Sequence, residues 1–212
     1  MTNQWLDISM PLTDQLAPFP GDKPFHYQLS YTKAETGACN IGELTTSLHN
    51  GTHLDAPFHY DNSGQTIDEI DLDVGIGPCL VLNLTNQQTI TVALLRSVVP
   101  FGTTRLLLHT MTRTSYPFPR EFPLIAPDVP AFLKTQGVRL LGIDAPSVDP
   151  EDSKTLPRHH ALYQEGIYIL ENLVLNDVVP GRYQLFCAPL KIIGADASPV
   201  RALLKRSDDL NT

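Results

Sequence analysis

Three of the seven histidines in the chain lie within the stretch HNGTHLDAPFH, residues 49–59. His49, His53 and His59 share this stretch with Asp55. Neutral imidazole nitrogens and carboxylate oxygens bind zinc, and they also bind manganese where oxygen ligands predominate. Two histidines and one carboxylate would be three ligands of one ion and would leave coordination positions for water, as a catalytic site requires. The stretch therefore predicts a metal site. The alternative is a set of polar loop residues that only satisfy hydrogen bonds.

The spacing of these residues indicates how the backbone must run. In an extended strand, His53 and Asp55 share one face with their Cα atoms ~6.6 Å apart, which suits two ligands of one ion. Four extended residues would separate His49 from His53 by roughly 13 Å, which is too far for a shared ion. The chain must therefore bend between them. Asn50-Gly51 can supply the bend because both residues tolerate positive φ.

A second group of candidate ligands lies far downstream, in the segment LPRHHALYQEGIYILENLVL, residues 156–175. His159 or His160 is expected near the start of a helix, and Glu171 at the end of a strand. The carboxylates of Asp55 and Glu171 together with three histidines could hold a binuclear metal centre of the hydrolytic kind. Spacing alone equally allows surface histidines on a helix and a solvated strand end, so both alternatives remain.

Short apolar runs, rich in branched residues and bounded by Gly, Pro and Asn, predict that strands dominate the fold. These runs cover residues 41–48, 78–84, 104–109, 138–144, 167–170 and 183–194. Helices are predicted at 128–137, where Asp128 is the expected N-cap and Gly137 follows the last turn, and also at 91–98 and 158–166. No regular βαβ alternation is visible, so we expect a mixed α+β or α/β fold with a large sheet.

Composition limits the classes of protein to which the chain can belong. A length of 212 residues with 42% hydrophobic content suits one globular domain, residues 1–212. The formal charge of -8 leaves no basic footprint for nucleic acid or an anionic membrane, so small molecules and protein subunits are the expected partners. No apolar run approaches the ~18 residues of a membrane span, and the start MTNQWLDIS does not resemble a signal peptide, which predicts a cytoplasmic protein. The three cysteines form no CxxC motif and are expected to be small core residues.

The stretch HNGTHLDAPFH also resembles the signature HxGTHxDxPxH of the cyclase family of metal-dependent hydrolases. Further blocks that carry the resemblance to this family include PGDKPF and DASPVRALL, and the blocks SVDPEDSK and ILENLVL are most similar to those of the bacterial kynurenine formamidases of the family. The resemblance implies a swivelling β/β/α fold, a homodimer or larger homo-oligomer, and two divalent metal ions, zinc or manganese. It selects His159 over His160, because the family's ligand lies twelve residues before the glutamate. The implied metal ligands are thus His49, His53, Asp55, His159 and Glu171.

The activity that the resemblance implies is hydrolysis of N-formyl-L-kynurenine by a metal-activated hydroxide, with His59 as the proton relay. Phe19 stands where the formamidases usually carry a tryptophan that contacts the substrate, so it keeps an aromatic face and loses an indole N–H donor. One alternative is another amide, a cyclic amide such as isatin, or a lactone as substrate. Another is a metal-stabilised binding protein without turnover. The partner of the substrate carboxylate is not assigned, and Lys23, Arg113 and Arg201 are unranked candidates.

Overall fold

The computed structural model describes residues 5–112 and 117–206. Its strands are β1 (Trp5–Asp7), β2 (His26–Tyr31), β3 (Ile41–Thr45), β4 (His53–Asp55), β5 (Ile76–Asn83), β6 (Thr89–Ile90), β7 (Arg105–His109), β8 (Leu124–Ile125), β9 (Leu140–Ile143), β10 (Tyr168–Glu171), β11 (Gly181–Phe186), β12 (Ala197–Pro199) and β13 (Leu203–Arg206). Its helices are α1 (Lys33–Thr36), α2 (Val92–Leu95), α3 (Val129–Gln136) and α4 (Pro157–Gln164), with short 3-10 turns at Pro57–His59, Ile67–Glu69 and Leu72–Val74. The predicted strand-rich mixed fold is confirmed. None of the described helices is long and apolar enough to cross a membrane.

Nine of the described strands form one sheet in the order β1-β13-β11-β5-β7-β9-β10-β4-β12. The central strands β5, β7, β9 and β10 run parallel, and the flanking pairs are antiparallel. Helices α2, α3 and α4 lie in the three connections between successive parallel strands. The centre of the sheet therefore has a βαβ alternation that is not visible in the sequence. These helices are only four to eight residues long, and the connections that contain α2 and α3 also contain the short strands β6 and β8, so the sequence gives little sign of the alternation.

Two hydrophobic cores cover the two faces of the parallel strands. In β7, Leu106 and Leu108 face one core, and Leu107 between them faces the other, as the pleat of a strand requires. The core that Leu106 and Leu108 face also contains Leu133 from α3 and Leu162 from α4. Full burial of such a side chain contributes about 1.5–3 kcal/mol, so both layers hold the central strands firmly. The candidate ligand Glu171 lies at the carboxyl end of β10, on this rigid base.

Two predicted elements are shorter than expected. The apolar run 183–194 predicts a single strand, but β11 ends at Phe186. Pro189 has no N–H to donate to a strand pair, and the apolar side chain of Leu190 is exposed instead of buried. The helix predicted at 91–98 is confirmed only over the four residues of α2.

Helix caps and cysteines give mixed outcomes. Asp128 precedes α3 as predicted, but its side chain makes no capping hydrogen bond. Gly137 ends that helix in the left-handed region, as predicted. Cys79 and Cys187 are buried core residues, as expected, whereas Cys39 is exposed, so the prediction for Cys39 is wrong.

Strands β2 and β3, with α1 between them, form a hairpin arm, residues 26–45, that is separate from the main sheet. Every residue of both strands is exposed, and Tyr27, Tyr31 and Leu44 each expose more than half of their surface. An isolated two-stranded hairpin is marginally stable in water, and exposed apolar patches commonly mark interaction surfaces. The hairpin arm is therefore a candidate surface for contact with another protein.

Candidate metal and active site

The bend predicted between His49 and His53 is present. Gly51 has a φ of 66°, in the left-handed region, and a Cβ atom there would lie 2.7 Å from the Leu12 side chain. Both features favour glycine at this position. The bend brings Nδ1 of His49 to 3.2 Å from Oδ1 of Asp55, and it sets the rings of His49 and His53 edge to face with centroids 4.9 Å apart. The imidazole rings of His49 and His53 are therefore in contact, and His49 also contacts Asp55.

Strand β4 places His53 and Asp55 on one face, as their spacing predicts, and it pairs with β10 and β12 on either side. The register sets His53 opposite Glu171, the last residue of β10. Nε2 of His53 lies 3.3 Å from Oδ1 of Asp55 and 3.5 Å from Oε2 of Glu171. Strand pairing thus brings together candidate metal ligands that lie far apart in the sequence.

Helix α4 supplies the downstream histidine. His159 is buried, and its Nε2 lies 3.6 Å from Oδ2 of Asp55 and 3.8 Å from Oε1 of Glu171. His160 points elsewhere and packs against Tyr60, with ring centroids 5.8 Å apart. Of the two histidines that the spacing left open, His159 is the one that reaches the cluster.

Three of the potential metal-ligand atoms in this cluster make no hydrogen bond within the described residues. Nε2 of His53 and both carboxylate oxygens of Asp55 are buried, and within the described residues they have no hydrogen-bond partner. Such atoms are costly unless they coordinate a metal or bind another partner. Ligand atoms of His53, Asp55 and Glu171 lie within 4.8 Å of one another, as do those of His49, Asp55 and His59. Imidazoles and carboxylates are ligands of zinc and manganese, so these residues fit a divalent metal centre.

Backbone and side-chain acceptors orient two of the rings. Nδ1 of His53 lies 2.9 Å from the carbonyl oxygen of Gly51, and Nδ1 of His159 lies 2.8 Å from Oδ2 of Asp149. An acceptor at Nδ1 favours the proton on that nitrogen. Nε2 of each ring is then the nitrogen that faces Asp55. The sequence pattern predicts no role for Asp149.

The protonation of the histidines follows from the same arrangement. Burial alone would lower the pKa of His53, but the nearby carboxylates of Asp55 and Glu171 outweigh burial and raise the pKa to about 10. Burial opposes protonation of the other two rings as well, but Asp149 and Asp55 raise the pKa of His159 to about 10, and Asp196 and Asp55 raise that of His49 to about 9. Burial would raise the pKa of Asp55, yet the surrounding histidines hold it well below its usual range. A metal ion must therefore displace protons from these rings.

His59 lies at the rim of the cluster, at the end of the 3-10 turn that begins at Pro57. Its ring is 4.1 Å from the ring of His49, and 29% of its side chain is exposed. Asp196, which precedes β12, contacts both rings. Its Oδ2 lies 3.0 Å from Nε2 of His49 and 3.6 Å from Nδ1 of His59, and these contacts hold the pKa of Asp196 far below its usual range. The spacing of the sequence predicts no role for Asp196, although DASPVRALL, which contains this residue, is among the blocks that carry the resemblance to the cyclase family.

A cavity of about 440 Å³ opens over the cluster. His59, Phe19 and Phe118 are part of its wall, and the two phenylalanine rings meet edge to face with centroids 5.2 Å apart. Phe19 begins a turn that is closed by a hydrogen bond from the N–H of Asp22 to the Phe19 carbonyl, 2.9 Å long. A cavity of this size with polar groups at its base suits a small molecule that carries an aromatic ring.

The described part of the cavity wall contains no lysine or arginine. Lys23 is not part of that wall, and Arg201 pairs with Asp7 at the protein surface, 2.5 Å from Nη2 to Oδ2. Arg113, the third candidate partner of the substrate carboxylate, lies outside the described residues. Neither Lys23 nor Arg201 is therefore part of the described cavity wall.

Known proteins of similar sequence cover nearly the whole chain. The kynurenine formamidase of Geobacillus thermodenitrificans is 48% identical over 207 residues, which are 97% of this chain and 99% of that protein. The kynurenine formamidase of Bacillus mycoides is 45% identical over 205 residues, which are 96% of this chain and 98% of that protein.

Solved structures of other proteins share the fold of this chain. A protein described as a potential metal-dependent hydrolase with cyclase activity has a TM-score of 0.83 and 30% identity, over 96% of this chain and 98% of its own. Isatin hydrolase A from Ralstonia solanacearum has a TM-score of 0.80 over 95% of this chain and 91% of its own, but its 22% identity supports a common fold alone. The expected cyclase-like fold is confirmed by these likenesses. Because the Cyclase family also matches residues 6–150, more than half of the sequence, the chain belongs to the cyclase family.

Proposed function

We propose that the protein hydrolyses N-formyl-L-kynurenine to L-kynurenine and formate. The observation that carries the proposal is the convergence of five side chains below a cavity with an aromatic wall: His49, His53, Asp55, His159 and Glu171. The two formamidase relatives, 48% and 45% identical to the chain, support this choice of substrate. An aryl formamide offers the two features that the site matches, a carbonyl for the polar base and a ring for the aromatic wall.

These five residues are proposed to hold two divalent ions, zinc or, as the alternative, manganese. Asp55 is suited to both ions because its oxygens face different histidines. Oδ1 lies near His49 and His53, and Oδ2 lies near His159. When bound, such ions supply an acidified water and a Lewis acid for the formyl oxygen. Two equivalents of metal per subunit are expected after reconstitution, and saturation at one equivalent would contradict this part of the proposal.

His59 is proposed to carry the proton during the reaction. It would accept a proton from the attacking water as the oxygen bonds to the formyl carbon, and donate it to the anilide nitrogen as the carbon–nitrogen bond breaks. Its position in the cavity wall gives it access to a substrate. Asp196, 3.6 Å from Nδ1, is placed to orient the ring with Nε2 toward the cavity.

Phe19 is proposed to contact the aryl ring of the substrate. Its edge-to-face contact with Phe118 holds it in the cavity wall, where an aniline ring could stack against it. A neutral aromatic ring without a donor suffices for this contact. The amino-acid part of the substrate would contact other residues of the cavity.

The test of the proposed reaction is the appearance of the free aryl amine when metal-loaded protein is mixed with N-formyl-L-kynurenine. Rapid release of the amine and of formate is expected. The same assay with isatin, other amides and lactones tests the first alternative, since turnover of one of these alone would assign a different substrate. If protein with two bound ions turns over none of them, the non-catalytic binding role replaces the enzymatic proposal.

A homodimer is proposed as the assembly, with the hairpin arm as its contact surface. The support is the exposure of Tyr27, Tyr31 and Leu44, which a second copy of the chain would cover. Replacement of Tyr27 and Leu44 by serine should shift the molar mass measured by light scattering to that of one subunit. A parent protein that is itself monomeric would contradict the proposal.

Residues 1–212 are proposed to act as one domain in the cytoplasm. Strands β1 and β13, from opposite ends of the chain, pair in the same sheet, which supports a single domain. All three cysteines are free, and free thiols are usual in a reducing compartment.

A further inference from the structure

Asp149 is a buried carboxylate that contacts the cluster from outside. It follows β9 and has no exposed surface. Its Oδ2 lies 2.8 Å from Nδ1 of His159, while Nε2 of the same ring faces Asp55 and Glu171 at 3.6 and 3.8 Å. The two nitrogens lie on different edges of the imidazole ring. The contact with Asp149 therefore decides which nitrogen faces the cluster.

The same carboxylate also holds the start of α4. The backbone N–H of Arg158 donates to both oxygens of Asp149, at 3.1 and 3.0 Å, and the N–H of His159 donates to Oδ2 at 3.1 Å. Leu156 occupies the N-cap position with a φ of 43°, and its side chain forms no capping hydrogen bond. Asp149 thus provides, from an upstream loop, the acceptor that serine or aspartate usually provides at the N-cap. One carboxylate fixes both the helix start and the rotation of the His159 ring.

The guanidinium of Arg158 gives this buried carboxylate a charged partner. Its Nη1 lies 3.3 Å from Oδ1 of Asp149, and its Nε donates to the carbonyl of Ile125 at 2.8 Å. The arginine therefore holds one oxygen while the His159 ring occupies the other. A carboxylate in this position strengthens the electron-pair donor at the opposite nitrogen of an imidazole ligand.

We propose that Asp149 is a positioning residue that holds His159 with the proton on Nδ1 and with Nε2 directed at the metal cluster. The inference rests on the proposed role of His159 as a metal ligand. It assigns Asp149 no contact with substrate.

The first test measures metal affinity in the Asp149→Asn variant. Asparagine keeps the shape of the side chain and one acceptor for the helix start, but it removes the charge beside Nδ1. Competition with a chelator for Zn²⁺ should give an affinity about 10- to 100-fold weaker than that of the parent protein. The visible absorption spectrum of the Co²⁺-loaded variant should also differ from that of the parent, because the ligand field at His159 changes.

The control is Arg158→Gln, which removes the guanidinium contact with the same carboxylate but leaves the contact with Nδ1 of His159. Its metal affinity and cobalt spectrum should stay close to those of the parent. A role of Asp149 in the helix start alone would lower the melting temperature of Asp149→Asn without changing either readout. An unchanged affinity and spectrum would thus overturn the proposal.

A second measurement needs no variant of Asp149 and can refute the proposal even if that variant does not fold. Nuclear magnetic resonance of the zinc-loaded parent with ¹⁵N-labelled histidine should assign the proton of His159 to Nδ1. A proton on Nε2 would overturn the proposal. Neither measurement involves N-formyl-L-kynurenine, so a wrong substrate and a wrong role for Asp149 give different results.

Discussion

Addition of Zn²⁺ to the metal-free protein should release about three protons at about pH 7.5. His49, His53 and His159 have pKa values raised to about 9, 10 and 10, so nearly all three rings carry a proton at this pH. Three histidines with the ordinary pKa of about 6.5 would together hold only about 0.3 protons at about pH 7.5. The carboxylates around the rings thus increase the expected release about tenfold.

The sign of the pH dependence follows from the same shifts. Because metal and protons compete for the rings, metal affinity rises with pH, and three displaced protons give a slope of about 3 in a plot of log affinity against pH below pH 9. The folding stability of the metal-free protein depends on pH in the opposite direction. Its protonated histidines contribute stability that is fully present below the unfolded pKa of about 6.5 and is lost as the pH rises through the folded values of about 9 to 10.

Isothermal titration calorimetry in buffers with different ionisation enthalpies counts the released protons. The matched control is His160→Gln, which removes a neighbouring histidine that packs against Tyr60 instead of facing the cluster. Its release should equal that of the parent. An acidified water could itself contribute about one proton. A total release of about one proton or less would therefore refute the arrangement of protonated rings and carboxylates described above.

The remaining predictions test the relay, the core, the bend and the aromatic wall. His59→Ala should keep both metal ions and lose turnover by about 100- to 10,000-fold, and loss of metal from this variant would identify His59 as a ligand instead. Leu162→Ala should lower the free energy of unfolding of the metal-loaded protein by about 2–5 kcal/mol in denaturant titrations, since it opens a cavity in the core that also contains Leu106 and Leu133. Gly51→Ala should weaken zinc binding in chelator competition, because alanine disfavours the left-handed φ of this bend and its methyl group would collide with the Leu12 side chain. Phe19→Ala should raise KM for N-formyl-L-kynurenine more than it lowers kcat, and an unchanged KM would place the ring of the substrate elsewhere.

The local part of the site could be predicted from spacing. The period of two along a strand places His53 and Asp55 on one face, and Asn50-Gly51 permits the bend that brings in His49. These inferences concern neighbouring residues, for which backbone geometry leaves few alternatives. The structure confirms the shared face and the bend.

The long-range part of the site could not be predicted in this way. No feature of the sequence shows that β4 lies between β10 and β12, which is what sets His53 opposite Glu171. Asp149 and Asp196 lie in loops, where aspartate is common for reasons of turn geometry. Their importance comes from the tertiary contacts with His159, His49 and His59.

The charges of the metal-free cluster explain how such a site can exist in a folded chain before metal arrives. Protonated His49, His53 and His159 carry three positive charges, and they face the carboxylates of Asp55, Glu171 and Asp196 and that of Asp149, which also pairs with Arg158. Buried charges are tolerated when they are paired, so the protons balance the carboxylates in the absence of metal. A divalent metal ion then takes over the positive charge of the protons that it displaces. The same carboxylates that raise the pKa of the histidines therefore assemble the site in advance and make its metal affinity depend steeply on pH.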